Sequence, residues 1–440
     1  MIGPKRAVPT RLRLGLPLLA GANAGLLVAA HLCKGASTQV DGSAPFNLLE
    51  PHAASDDNLI SAIRRLAEAH VWFMVFIVAF LSGLWPYLKL LATVGVVALT
   101  DMGRLSKGGS YNWLCALETL GKYSFADVIL ICFNAVIFDV STGGPYRILL
   151  FGQLELQIYM HLKFGSVALI LGVTFSALLT HWAACELSPA AAPSPEQEGG
   201  AGASEESPLL PDKDDTGELQ QEGWRWTGPA TLVVACAAAA FLSIGAFMPM
   251  VFIERSGFLG KLIRPESNRN LELSILALTG DMIASAKRRN EGTVFFFAVL
   301  FVVLTLVAPL LELVAVAACG VGSAWPRSPW RRWARQAAEW FHSFGCAEVL
   351  LLVCLATLFE IQTVVYFNIG EECEPFEAIM DNKALLSIAG LGFAASKECF
   401  VLTPHLRPGW YVLLTAVLLR TVAWRLLLSN PRLPAPHSKA

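Results

Sequence analysis

The residues LWPYLKLL (84–91) lie inside an apolar run from Val71 to Leu99, and they set a proline and a lysine three residues apart within it. A hydrocarbon core of roughly 30 Å asks for about 20 apolar residues of helix, so the run reads as a transmembrane helix. Proline removes a backbone donor and pushes the carbonyl of the preceding turn out of the ladder. A lysine at that depth either finds a partner in a polar interior or snorkels toward water along its apolar stem.

The rest of the chain repeats the pattern. Its 440 residues are 55% hydrophobic and 15% charged, with a mean hydropathy of +0.53, which is too apolar for an ordinary soluble enzyme. Comparable runs stand at about 14–32, 125–146, 164–185, 231–253, 293–319, 344–367 and 409–428, making eight with the first. Only helices and closed barrels satisfy their backbones in lipid, and these runs lack strand alternation. The expected fold is an all-α polytopic membrane protein of about eight transmembrane helices.

The motifs of soluble catalysis are missing. No phosphate loop, nucleophile elbow or zinc-protease signature occurs, and the ten cysteines form neither a CxxC pair nor a zinc-spaced cluster. The reading is a non-enzyme with no metal and no cofactor. Cys373 and Cys399 flank the last extramembrane loop; whether they pair is left open. No N-x-[ST] sequon occurs, and a net charge of −2 favours no nucleic-acid partner.

One segment differs from the rest. Residues 187–223, LSPAAAPSPEQEGGAGASEESPLLPDKDDTGELQQEG, are rich in Pro, Gly, Ser and acids and read as a disordered linker. The expected units are a four-helix membrane repeat over 1–186, an acidic linker over 187–229, a second four-helix repeat over 230–430 and a tail over 431–440. The halves match in two places: WPYLKLLATV (85–94) with APLLELVAVA (308–317), and DVILICFNAVIFDV (127–140) with EVLLLVCLATLFEI (348–361). The first sets Pro86 against Pro309 and Lys89 against Glu312; the second sets Asp127 against Glu348 and Asp139 against Glu360. The offsets, 223 and 221 residues, keep the order and spacing of both signatures.

Twelve helical steps rise about 18 Å, less than the hydrocarbon thickness. At least one acid of each pair, Asp127 and Asp139 or Glu348 and Glu360, is therefore expected within the apolar slab, unless the helix is off-centre or the bilayer thins. Two readings follow. In one, Lys89, Asp127, Asp139, Glu312, Glu348 and Glu360 line a polar transport path, with Lys89 facing Asp127 or Glu312, and Pro86 and Pro309 are kinks that open it. In the other, the charges lie near the headgroups and the prolines are packing kinks. Ahead of each proline helix stands an amphipathic segment, DNLISAIRRLAEA (57–69) and LELSILALTGDMIASAKRRN (271–290), read as lying at the outer membrane surface.

Lys5, Arg6, Arg11 and Arg13 favour a cytoplasmic start, as do Arg327, Arg331, Arg332 and Arg335 after the sixth run. The loop 254–291 opposes this with seven basic residues. Both termini and the linker are read as cytoplasmic; an N-terminal signal or transit peptide is the alternative.

The string FMPMVFIERSGFLGK, followed by LSILALTGDMIAS, GTVFFFAVLFVVLTLVAPLLELVAV and FHSFGCAEVLLLVCLATLFEI, resembles the paraquat-inducible protein A family, as do WFMVFIVAFLSGLWPYLKLL and YSFADVIL in the first half. Pro86, Lys89, Asp127, Pro309, Glu312 and Glu348 fall on that family's polar signature. The resemblance implies an integral membrane protein that handles lipid, its repeats forming or loading a lipid path, with membrane lipids and a further membrane or lipid-transfer protein as partners. The cysteine-rich zinc ribbons usual in bacterial members are absent, and the long acidic linker points to a divergent eukaryotic member. The alternatives are a proton-coupled small-solute transporter and a membrane scaffold that transports nothing. EESPLL (205–210) fits an acidic dileucine signal, so the expected address is an endosomal, vacuolar or plasma membrane.

Overall fold

The computed structural model describes residues 8–43, 52–137, 139–141, 146–148, 152–188, 215–256, 270–322, 329–380 and 401–429. Among them, eight helical stretches are long and apolar enough to cross a membrane. The protein is an all-α polytopic membrane protein in its spanning part.

The first half opens with α1 (Thr10–Leu32), then strands β1 (Ala36–Ser43) and β2 (His52–Asp57) and the amphipathic α2 (Leu59–Glu68). The second span is α3 (Trp72–Phe76), a π-helical segment Ile77–Leu84 and α4 (Trp85–Asp101). The third is α5 (Lys107–Gly121), a 3₁₀ turn over Lys122–Phe125 and α6 (Ala126–Ile137). Strands β3 (Val140–Ser141), β4 (Tyr146–Ile148) and β5 (Gly152–Leu162) lead to α7 (Phe164–Leu187).

The second half follows the same order. It runs α8 (Asp215–Phe247), β6 (Val251–Ser256), β7 (Asn270–Leu273), α9 (Ile275–Arg289) and α10 (Gly292–Val302). A π-helical segment Val303–Val307 leads into α11 (Ala308–Val321), and α12 (Pro329–Phe344), α13 (Ala347–Met380), β8 (Val401–Leu406) and α14 (Pro408–Ser429) complete it. The strands pair alike: β1 lies antiparallel between β2 and β5, and β6 lies antiparallel between β7 and β8. Four spans per half bring the chain back to the side on which it began. Both sheets therefore lie on one side of the spans, and Thr10 and Ser429 lie on the other.

Each π segment ends at a proline. Pro86 and Pro309 are the second residues of α4 and α11, directly after the wide turns. A π turn bonds i to i+5 and lets the chain pass a residue that has no N–H and whose ring crowds the carbonyl four residues back. Where kinks were expected, a π-helical segment stands directly before the proline helix in both halves.

Local chemistry sets the shorter helices. Asn58 accepts from Ser61 N at 2.8 Å while Ser61 Oγ receives the Asn58 N–H at 2.9 Å, a capping box that starts α2. Ser274 caps α9 by accepting from Ala277 N at 3.0 Å. Within each half the first span packs on the fourth, α1 on α7 and α8 on α14. Glycines let them close: a Cβ at Gly165 would stand 2.7 Å from Lys34 O, and one at Gly409 would stand 2.5 Å from Met248 O. The third span is the central one, with 78% of its apolar window buried against 28% for α1, and α6 and α13 meet across the halves.

Two sequence expectations shift. The third span begins at Lys107 rather than Phe125, and the seventh at Trp333 rather than Phe344. Residues 215–229, assigned above to the linker, are helical and form the start of α8. The side chain of Cys373 and all of Cys399 lie outside the described residues.

Candidate functional site

The spans carry buried charge, and Lys89, Glu118, Lys122, Glu312, Glu348 and Arg420 gather in two adjoining clusters. Arg420, on the inner face of α14, is 4% exposed. It donates from Nε to Glu312 Oε2 at 2.8 Å, with Nη2 2.5 Å from the same oxygen, and from Nη1 to Glu348 Oε2 at 2.7 Å. Glu312, on α11, is fully buried and also meets His342 Nδ1 of α12 at 2.8 Å. The His342 ring stacks on Trp424, centroids 4.1 Å apart. Glu348, in the first turn of α13, takes a second cation from the other half, the Lys122 ammonium.

A second cluster adjoins the first. Lys89, 2% exposed on α4, lies over Gly121 so closely that a Cβ there would fall 2.3 Å from its Nζ. The acid whose charge acts on it is Glu118 of α5. Glu118 Oε1 lies 2.5 Å from His181 Nδ1 of α7 and accepts a hydrogen bond from Ser343 of α12. Cys185 Sγ is 3.4 Å from His181 Nε2. That thiol stands in the last turn of α7, where the free backbone groups are carbonyls, which would repel an oxyanion rather than hold one. The two clusters touch on α12, where Ser343 belongs to one and His342 to the other.

The charges balance. Arg420 and Lys122 stand against Glu312 and Glu348, and Lys89 stands against Glu118. In low dielectric a lone charge costs several kcal/mol, roughly, whereas a hydrogen-bonded pair offsets much of it. Both clusters draw on both halves, so burial of these charges and union of the halves are one arrangement.

The predicted residues separate accordingly. Lys89, Glu312 and Glu348 join the buried clusters, but Lys89 faces Gly121 and Glu118 rather than Asp127 or Glu312. Asp127 takes no part: it is 7% exposed and lines a cavity of about 190 Å³ between α1, α2 and α6. Asp139, just past the end of α6, and Glu360, near the sheet-side end of the seventh span within α13, stand away from both clusters. Asp139 pairs with Arg288, at 2.8 Å, and with Arg289 of the other half. Glu360 accepts from Phe73 N at 2.9 Å and Met74 N at 2.6 Å, capping α3 of the other half. Arg255 of β6 answers them by donating to Ile137 O at 3.0 Å at the end of α6. Burial pulls the Arg255 guanidinium down to about 10, against the opposing pull of Asp139 and Asp281. Burial also raises the Asp281 carboxyl, and Arg288 works the other way.

Glu118, Lys122, His181, His342, Ser343 and Arg420 are the members that the sequence reading missed. Arg420 and His181 were open to notice, since each interrupts a clean apolar run. Glu118 and Lys122 lie in a stretch too polar to be read as span.

The fold and these clusters define the class: an α-helical, multi-pass integral membrane protein with a buried ionic interior. Residues 47–142 match the family model of paraquat-inducible protein A. That segment carries Pro86, Lys89, Glu118, Lys122, Asp127 and Asp139. Searches of curated proteins and of solved structures gave no match.

Proposed function

We propose that this protein moves or presents membrane lipid, without catalysing a covalent reaction, and that the buried charge clusters hold its two halves in register as it does so. The observation that carries the reading is the buried ionic network within the spans, tied across the halves by the Lys122–Glu348 ion pair and the Ser343–Glu118 hydrogen bond. Separating the halves breaks the Lys122–Glu348 pair and the Ser343–Glu118 bond, and protonation of either carboxylate weakens the same links, so the clusters suit a gate between the halves. The family match over 47–142 supports a lipid cargo, as do the amphipathic helices α2 and α9 on the sheet side. On this reading the halves are a duplicated repeat. The partners are membrane lipids and a second membrane or lipid-transfer protein, not nucleic acid. The membrane is an endosomal, vacuolar or plasma membrane with both termini cytoplasmic.

The histidine–carboxylate pairs, His181 with Glu118 and His342 with Glu312, favour a second reading, proton-coupled transport of a small solute, since His is the side chain that titrates nearest neutrality. Full-length protein in phosphatidylcholine vesicles with a trace of fluorescent phospholipid separates the two. Lipid handling predicts that the wild type speeds exchange of the label between leaflets and that Glu312→Gln slows it about tenfold, the effect of some 1.4 kcal/mol on a barrier. Label exchange equal to that of protein-free vesicles, with proton uptake on addition of solutes, would transfer the function to the second reading.

A further inference from the structure

Asp127 and Glu348 open α6 and α13 at the same register, yet their surroundings differ. Glu348 holds two cations, Lys122 and Arg420. Asp127 holds none: among the described residues no ion pair or hydrogen bond reaches its side chain. Superposing α7 on α14 at their packing glycines, Gly165 and Gly409, sets Ser176 where the second half has Arg420. The cation present in one half is thus lacking in the other.

Instead, Asp127 borders the cavity. Asp127, Leu130, Ile131 and Asn134 follow one another at i, i+3, i+4 and i+7, so a single face of α6 forms the wall. The opposite wall is the apolar face of α2, with Leu59, Ala62 and Leu66, and Met160 and Leu169 close the sides. An anionic side chain more than nine-tenths buried, turned into an open space and ion-paired with no cation among the described residues, although Arg65 borders the same space, is a site suited to a positive guest.

We propose that this cavity binds a primary ammonium group, with the Asp127 carboxylate as its counter-ion and the aliphatic walls around its carbon chain. Three lines select that guest. A divalent metal is held by several strong ligands, and no group of three His, Cys, Asp or Glu side chains that could hold one occurs among the described residues. A trimethylammonium group prefers an aromatic cage, and apart from the His31 ring the lining is aliphatic or polar. A primary ammonium has three donors to place, and the Asp127 carboxylate and the Asn134 amide oxygen are acceptors on the same face. Two sources share this chemistry: the headgroup of an aminophospholipid and a free amine. For the former, Arg65 and His31 border the same cavity and offer donors to a phosphate. The proposal rests on the lipid-handling reading only for the choice of source.

The test is native mass spectrometry of the full-length protein released from phosphatidylcholine nanodiscs doped equally with phosphatidylethanolamine and phosphatidylglycerol. The wild type is expected to enrich phosphatidylethanolamine over phosphatidylglycerol about tenfold, a modest charge-assisted preference, and Asp127→Asn to abolish the enrichment. Ala62→Phe fills the cavity from α2 without touching the acid and is expected to do the same, which guards against a variant that merely folds poorly. Enrichment that survives millimolar free ethanolamine assigns the site to lipid; enrichment that free ethanolamine displaces assigns it to a soluble amine. Equal retention of both lipids by the wild type, or enrichment unchanged in Asp127→Asn, overturns the proposal. Leaflet exchange that persists beside a headgroup-blind cavity would sink the amine site alone, whereas amine binding without exchange would sink the lipid-handling function alone.

Discussion

Replacing Arg420 with leucine is expected to unfold or severely weaken the protein. Among the described residues the guanidinium is the cation that Glu312 meets, beside a hydrogen bond with His342, and it shares Glu348 with Lys122. Leucine fills much of the volume but leaves Glu312 fully buried without its strong partner. Breaking a buried pair from one side costs about 3–5 kcal/mol, a large part of what holds most domains together. The check is the thermal denaturation of purified protein in one detergent, with the double variant Arg420→Leu/Glu312→Leu beside it. The account predicts that the double variant melts higher than Arg420→Leu, because an apolar pair in that slot leaves no orphaned charge there. Arg420→Lys is expected to fall between, since a single ammonium does not span two carboxylates as the planar fork does.

The second large effect is steric. At Gly409 any side chain must begin 2.5 Å from the carbonyl oxygens of Met248 and Pro249. These are backbone atoms, so nothing can swing aside. Gly409 N also donates to Pro249 O at 3.0 Å, and two residues earlier Arg407 N donates to Met250 O at 3.0 Å, where β8 joins β6. Gly409→Val therefore forces α14 from α8 and pulls at the sheet register together. Overpacking a good core costs about 1–3 kcal/mol, and this site lies at or above the upper end because the clash is with main chain. Gly280 is the control: it stands inside α9 with open space around its missing Cβ. There Gly→Ala is expected to raise stability by up to about 1 kcal/mol through helix propensity alone. Melting curves in which Gly409→Val and Gly280→Ala both leave the midpoint unchanged would contradict the packing described for α8 and α14.

Much of the fold was legible, because bilayer thickness imposes a length that composition cannot hide. The eight spans and the parallel order of the halves were readable from apolar runs and from the proline and acid signatures. The sheets were not. Strand β5, GQLELQIYMHL, alternates at Leu154, Leu156, Ile158, Met160 and Leu162 and was readable by its period, but β1 and β2 are polar strands that exist through pairing, β1 with β5 and β2 with β1. The clusters were half legible. Charge inside an apolar run flagged Lys89, Glu312 and Glu348, but partnership is a property of the third dimension. Nothing in a linear pattern tells that Lys122 reaches Glu348, 226 residues away, or that Asp139 and Glu360 serve as ties between the halves. The same limit hid the difference between Asp127 and Glu348, equal in sequence and opposite in surroundings.

The most direct test of the account is native mass spectrometry with lipid analysis of the detergent-purified wild type against Glu348→Gln, which loosens the tie between the halves while keeping its shape. The account predicts that the wild type retains phospholipid in a defined ratio and that the variant loses it or changes its amount. The same diffuse annular lipid on both proteins would contradict a lipid path governed by the buried charges.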